Sequence, residues 1–184
     1  MTQNVRVLGI SGSLRQKSYN TAALHAAIAL APKSMSVEIA SIRDIPLYDQ
    51  DVYDKEHPAA ATRFREQCKA ADAILFVTPE YNYSVPGALK NAIDWASRKP
   101  DVPLHGKPCA IMGATTGVLG TARCQYHLRQ ILVSMDMRAV NQPEVMIGSA
   151  KTKFDDELTL IDKTTGELIQ KLMQALHDLT LKLR

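Results

Sequence analysis

Val5 to Ile10 is an apolar run rich in Val, Leu and Ile, with Arg6 as its single charged residue. It has the length and β-branched content of a strand buried on both faces, which requires parallel neighbours and helices packed over them. The stretch Gly12-Ser13-Leu14-Arg15-Gln16-Lys17-Ser18-Tyr19-Asn20 follows, and from Thr21 to Ala31 the residues Ala23, Leu24, Ala27, Ile28 and Ala31 recur at helical spacing ahead of Pro32. A strand that enters a helix through such a loop presents unpaired backbone N–H groups and the positive end of a helix dipole to one point beyond the sheet. That point suits an anion.

The side chains of the loop agree. Ser13, Ser18 and Asn20 are hydrogen-bond donors, and Arg15 offers a planar cationic fork that matches phosphate oxygens, whereas Lys17 adds only general field. The lysine of the triphosphate-binding loop is absent, and the second and third glycines of the dinucleotide fingerprint are missing. The same residues also read as an ordinary polar turn with an Asn cap.

The strand-to-helix alternation then repeats. A short strand, Met35 to Ile42, places Val37 and Ile39 on one face, and Asp49 to His57 reads as a surface loop. A helix starting near Pro58 reaches Ala71 with Phe64 and Cys68 inward; the apolar strand Ala73 to Thr78 stops at Pro79. A helix from about Ala88 to Ser97, a strand Pro108 to Gly113 and a helix Thr121 to Met135 come next. The last strand region is Arg138 to Val140 with Val145 to Ile147, interrupted by Asn141-Gln142-Pro143-Glu144. Ser149 to Thr165 reads as polar and turn-rich, and Glu167 to Leu183 as a helix with an apolar stripe. With no repeat or linker in its 184 residues, the chain reads as one α/β domain, 1–184, with right-handed crossovers.

Two further loops leave the same edge of such a sheet. Pro79-Glu80-Tyr81-Asn82-Tyr83-Ser84-Val85-Pro86-Gly87 sets two tyrosines and an asparagine beyond a buried strand, which suits an apolar wall with hydrogen bonds to the rim of a flat heterocycle. Packing or subunit contact is the other use of an aromatic loop. Backbone groups near Thr115, Thr116 and Gly117 can meet the polar end of the same ligand, since loops at neighbouring strand ends converge where strand order reverses. Trp95 belongs to the core, and Lys90 with Asp94 to a solvated or interfacial pair rather than to catalysis.

Composition removes other function classes. The net charge of +3 is spread along the chain, so neither nucleic acid nor the acidic surface of a dedicated electron shuttle is implied. Cys68, Cys109 and Cys124 lack zinc-site or dithiol spacing, and no metal cluster stands out; they read as small buried residues in a reducing compartment. No secretory pattern or membrane-length apolar run is seen, so the expected location is cytoplasmic.

Gly12-Ser13-Leu14-Arg15 through Ser18-Tyr19-Asn20, together with Pro79-Glu80-Tyr81-Asn82 through Gly87-Ala88-Leu89-Lys90-Asn91-Ala92-Ile93-Asp94-Trp95, resembles the NADPH-dependent FMN reductase family over nearly the whole chain. The likeness is greatest to its bacterial quinone and chromate reductase branch. The resemblance implies a flavodoxin-like three-layer sandwich, with a five-stranded parallel sheet of order 2-1-3-4-5, holding non-covalent FMN. Its phosphate would lie on the loop Ser13, Leu14, Arg15, Gln16, Ser18, Tyr19 and Asn20. Pro79, Glu80, Tyr81, Asn82 and Tyr83 would line the isoalloxazine, and Thr115, Thr116 and Gly117 its pyrimidine side. It further implies NADH or NADPH as hydride donor, and quinones, azo compounds, chromate or other metal oxyanions, or free flavin as acceptors. On this view no side chain acts as acid, base or nucleophile, and kinetics are ping-pong. A homodimer or homotetramer is implied, with Arg123, Tyr126 and Glu144 at a tetramer contact. The alternative is a flavin-binding electron carrier or regulatory module without enzymatic activity.

Overall fold

The computed structural model describes residues 4–184. Strand β1 (Val5–Ser11) lies inside a parallel sheet, flanked by β2 (Met35–Ala40) and β3 (Ala73–Val77), with β4 (Pro108–Ala114) beyond β3. Every residue of β3 and β4 is buried, which is why both read as continuous apolar runs rather than alternating ones.

The strand order 2-1-3-4-5 is as expected, but six strands are present where five were expected. β5 (Arg138–Ala139) pairs with the start of β4, at Pro108 and Cys109; β6 (Val145–Ile147) pairs with its end, at Met112, Gly113 and Ala114. The intervening Asn141-Gln142-Pro143-Glu144 divides the last position of the sheet in two, Pro143 having no N–H for a ladder.

Helices cover both faces. α1 (Tyr19–Ala29) and α6 (Lys163–Lys182) enclose Val5, Val7, Leu75, Val77, Ala110 and Met112. On the other face α3 (Ala59–Ala70), α4 (Gly87–Ala96) and α5 (Ala122–Val133) enclose Leu8, Ile10, Ile74, Phe76 and Ile111. The alternation along each strand is the period-two rule dividing one chain between two cores. Trp95 is fully buried on the second face and donates its indole N–H to Pro46 O at 2.9 Å.

Three differences from the sequence reading each trace to a side-chain cap. α1 begins at Tyr19 because Ser18, not Asn20, is the cap: Ser18 Oγ accepts from the N–H groups of Asn20 and Thr21. Within the expected surface loop Asp49 to His57, Asp49 Oδ1 accepts from Asp51 N–H and starts a short helix, α2 (Gln50–Tyr53). α6 starts at Lys163, four residues ahead of the expected Glu167, because Asp162 Oδ2 accepts from Thr165 N–H at 2.8 Å.

Candidate active site

Three loops leave the carboxyl edge of the sheet side by side, since the register sets Ser11 against Val77 and Val77 against Met112. Their bases are in backbone contact. Gly12 N–H donates to Val77 O at 2.8 Å and Thr78 N–H to Met112 O at 2.9 Å. A Cβ on Gly12 would lie 2.6 Å from Thr78 Oγ1, and one on Gly113 only 2.1 Å from Thr78 O. Fully buried Thr78 is thus gripped between two positions where only glycine fits.

In the loop after β1, Ser13 Oγ accepts from Arg15 N–H at 3.3 Å and the Arg43 guanidinium donates to Leu14 O, which pins the backbone from the side. Among the described residues no acceptor meets the backbone N–H of Leu14, Gln16, Lys17 or Ser18. The first turn of α1 carries no acidic side chain. A cluster of unpaired N–H groups at the positive end of an eleven-residue helix fits a multiply charged oxyanion, so the donor set is of the kind a phosphate monoester takes. The Ser18 side chain is buried at its base, whereas Arg15 and Gln16 are exposed.

Two residues expected to face the ligand are committed elsewhere. The Tyr19 ring packs on Phe154, centroids 5.6 Å apart, leaving its backbone at the head of α1. Asn20 is buried; its Nδ2 donates to Ala114 O at 2.9 Å while its Oδ1 accepts from Ala114 N–H at 2.8 Å. Its amide therefore closes a two-bond ring with the end of β4 and ties the first loop to the third.

In the loop after β3, Tyr81 and Ser84 exchange both backbone hydrogen bonds, at 3.1 and 3.0 Å, around Asn82 and Tyr83, whose φ angles are 50° and 65°. Two successive left-handed residues make the mirror-image hairpin turn usually built from Asn-Gly. Pro79 is buried beneath it, while Tyr81, Asn82 and Tyr83 are exposed. Glu80 points the other way. Its Oε1 accepts from Arg123 Nε at 2.5 Å and its Oε2 from Cys124 N–H at 3.1 Å, so the carboxylate caps α5 instead of lining the open face.

The loop after β4 is held from behind. Thr115 N–H donates to Ile147 O at 3.0 Å, Ala150 N–H to Thr115 O at 3.0 Å, and Ser149 N–H to Gly117 O at 2.9 Å. Thr116 and Gly117 remain exposed beside the other two loops. Of the trio expected at a subunit contact, Tyr126 OH donates to Glu144 Oε1 at 2.8 Å within the protomer, while Arg123 joins Glu80 and lies over the Tyr83 ring at 3.6 Å. Thr78, Arg43, Arg123 and the 147–150 segment carry no sequence signal for these roles, because each acts through a contact made only in the folded chain.

The thiols are held out of redox and nucleophilic chemistry by burial. Desolvation pushes Cys68 and Cys109 from 9.0 to about 12, and Cys124 to about 11. At pH 8 the native chain should resist iodoacetamide at all three positions and react at all three in denaturant, as read by intact mass. Because the folded values lie above the unfolded ones, these thiols leave stability unchanged well below pH 9.0 and lower it as pH rises from there toward 12. Rapid native alkylation of any of the three would contradict this placement.

A profile of the NADPH-dependent FMN reductase family matches residues 5–152. The NAD(P)H-dependent FMN reductase of Pseudomonas aeruginosa is 59% identical over 177 residues, 96% of each chain. The quinone reductase of Escherichia coli K12 is 49% identical over 173 residues, covering 93% of this chain and 88% of that one. Among solved structures, the flavoenzyme NAD(P)H:(acceptor) oxidoreductase FerB of Paracoccus denitrificans superposes with a TM-score of 0.89 at 31% identity, covering 97% of this chain and 98% of FerB. With three loops converging on one sheet edge, an unsatisfied oxyanion cradle at α1 and these similarities along almost its entire length, the chain belongs to the NADPH-dependent FMN reductase family.

Proposed function

We propose that this oxidoreductase, which uses FMN and NAD(P)H, delivers reducing equivalents to quinones, with azo compounds, metal oxyanions such as chromate, and free flavin as further acceptors. The observation that carries the reading is the set of unpaired N–H groups of Leu14, Gln16, Lys17 and Ser18 opening on the edge that also bears Tyr81, Asn82, Thr116 and Gly117. FMN supplies the hydride and electron chemistry that no protein side chain offers. The chain supplies placement. The N–H groups after Ser13 and the Arg15 guanidinium hold the phosphate, while Tyr81 gives the ring an apolar wall.

Thr116 offers its backbone N–H to the polar rim, where it would favour negative charge that develops on reduction, while Gly117 N–H turns back to Thr115 Oγ1 at 3.4 Å. Ser18 shapes the cradle by capping α1, and Asn20 fixes its distance from the third loop. Donor and acceptor use the same exposed face in turn, so the kinetics are ping-pong. The exposure of Tyr81, Asn82 and Tyr83 supports a shallow face that accepts several oxidants.

In this reading residues 1–184 act as one FMN-binding domain in the cytoplasm, assembled as a homodimer or homotetramer. The exposed Tyr126 with Glu144, and the open edge of Arg123, serve as contact residues. No helix among the described residues is long and apolar enough to cross a membrane.

The test is steady-state NAD(P)H oxidation with a benzoquinone, using protein stripped of FMN and then reconstituted. Turnover is expected to vanish on stripping and return with one FMN per chain, with parallel double-reciprocal plots. A stripped protein that turns over at the full rate, or one that refuses FMN, overturns the proposal. A yellow protein that oxidises NAD(P)H only slowly with every quinone supports an electron carrier instead.

A further inference from the structure

The turn at Asn82 and Tyr83 is under backbone strain; besides its own Tyr81 and Ser84 backbone pair, the side chains Arg123 and His127 that restrain it come from α5. Tyr83 has a φ of 65°, a region where a bulky side chain is disfavoured and glycine is the usual choice. The Arg123 guanidinium lies 3.6 Å from the centroid of the Tyr83 ring, a contact that attracts a cation to the ring face. The same guanidinium donates from Nε to Glu80 Oε1 at 2.5 Å, with Nη2 also 2.5 Å from that oxygen. Glu80 is the residue just ahead of the turn, and its side chain is only 7% exposed.

One helical turn on, His127 Nδ1 is hydrogen-bonded to Ser84 Oγ at 3.0 Å, on the far side of the turn. α5 has no side-chain cap of its own. Thr121 makes no capping bond, and the Glu80 carboxylate takes that place by accepting from Cys124 N–H. Each element therefore completes the other.

We propose that Arg123 is a positioning residue for the flavin face: through Glu80 and Tyr83 it holds the left-handed Asn82–Tyr83 turn, and so fixes where Tyr81 stands. The inference rests on the FMN reading for its effect on turnover, but not for its effect on the turn. Arg123 acts without touching the reacting atoms. Its removal lets Tyr83 relax toward ordinary φ values, which breaks the paired Tyr81 and Ser84 bonds and moves the wall on which the ring is placed.

The restraint is needed because residue 83 is not glycine. Glycine occupies that φ unaided, so the proposal predicts that Arg123 matters in the parent and hardly at all in a Tyr83→Gly background.

The test is a double-mutant cycle of Arg123→Ala and Tyr83→Gly, read by hydrogen exchange at the Tyr81 and Ser84 amides and, separately, by kcat and KM with a benzoquinone in FMN-loaded protein. In the parent background Arg123→Ala should speed exchange at both amides about five- to thirtyfold. It should lower kcat more than it raises KM for NAD(P)H, and leave FMN affinity within about threefold, since the phosphate cradle lies on another loop. In the Tyr83→Gly background the same substitution should change exchange by less than about twofold.

An equal effect in both backgrounds, or no effect in the parent, overturns the proposal. If Arg123→Ala does not fold, Arg123→Lys serves, because it keeps the charge but loses the planar fork; exchange as slow as the parent's then overturns the stacking role. Exchange needs no flavin. Protein that shows the predicted exchange cycle but refuses FMN would refute the FMN reading while upholding the restraint on the turn.

Discussion

Asn20→Ala is expected to lower the unfolding free energy by about 2–5 kcal/mol, because it strips the partners from both the N–H and the C=O of Ala114 at the end of a fully buried strand. For a chain of this length that is a fall in Tm of roughly 5–15 °C. No helix-propensity argument yields such a loss, since alanine is the better helix former. FMN affinity should fall with it, because the amide bridges 94 residues of sequence to keep the phosphate loop in step with the loop after β4.

Asn20→Asp separates the two effects. It keeps an acceptor for Ala114 N–H but sets a carboxylate against Ala114 O and places negative charge at the amino end of α1. It should therefore bind FMN more weakly than Asn20→Ala. Denaturant melts of the stripped proteins and fluorescence titrations with FMN check both points. A stable Asn20→Ala protein, or an Asn20→Asp protein with parent-like affinity, would show that the bridge is dispensable.

Arg15→Ala should weaken FMN binding about ten- to 150-fold, the worth of one charge-assisted contact of about 1.5–3 kcal/mol. Arg15 is exposed, and its backbone N–H is already taken by Ser13 Oγ, so the loop should keep its shape when the side chain is shortened. Stability is expected to change little, within about 0.5 kcal/mol. Lys17→Ala is the matched control. A lysine that contributes only general field is worth about 1 kcal/mol or less, so its loss should weaken binding less than about fivefold and more at low salt than at high. Equal losses for the two variants would mean that the cradle recognises charge without geometry. An unchanged affinity for Arg15→Ala would remove that residue from the site.

Much of the architecture follows from patterns local in the chain. The runs Val5 to Ile10, Ala73 to Thr78 and Pro108 to Gly113 announce buried parallel strands, since a strand covered on both faces carries apolar residues at successive positions. The loops after them reveal themselves by Gly, Pro, Ser and Asn at the strand ends. The last strand region, Arg138 to Val140 with Val145 to Ile147, also lies where its apolar residues placed it, but that its two halves are separate strands, β5 on the start of β4 and β6 on its end, is defined only by pairing.

The fine structure of the site belongs to the folded state. Nothing near Asn20 indicates that its amide will serve Ala114, and nothing near Glu80 that its carboxylate will cap a helix beginning at Ala122. A tyrosine at position 83 argues against the left-handed turn that the structure contains, because the local preference of the residue is overridden by Arg123, forty positions away in sequence. Patterns local in the chain specify the strands, the order of the longer helices and the three loops that meet at one edge, through apolar period and residues with special backbone preferences. Which polar side chains face the ligand and which bind the loops together was decided by tertiary structure alone, because a hydrogen bond or ion pair depends on proximity that only the closed sheet creates.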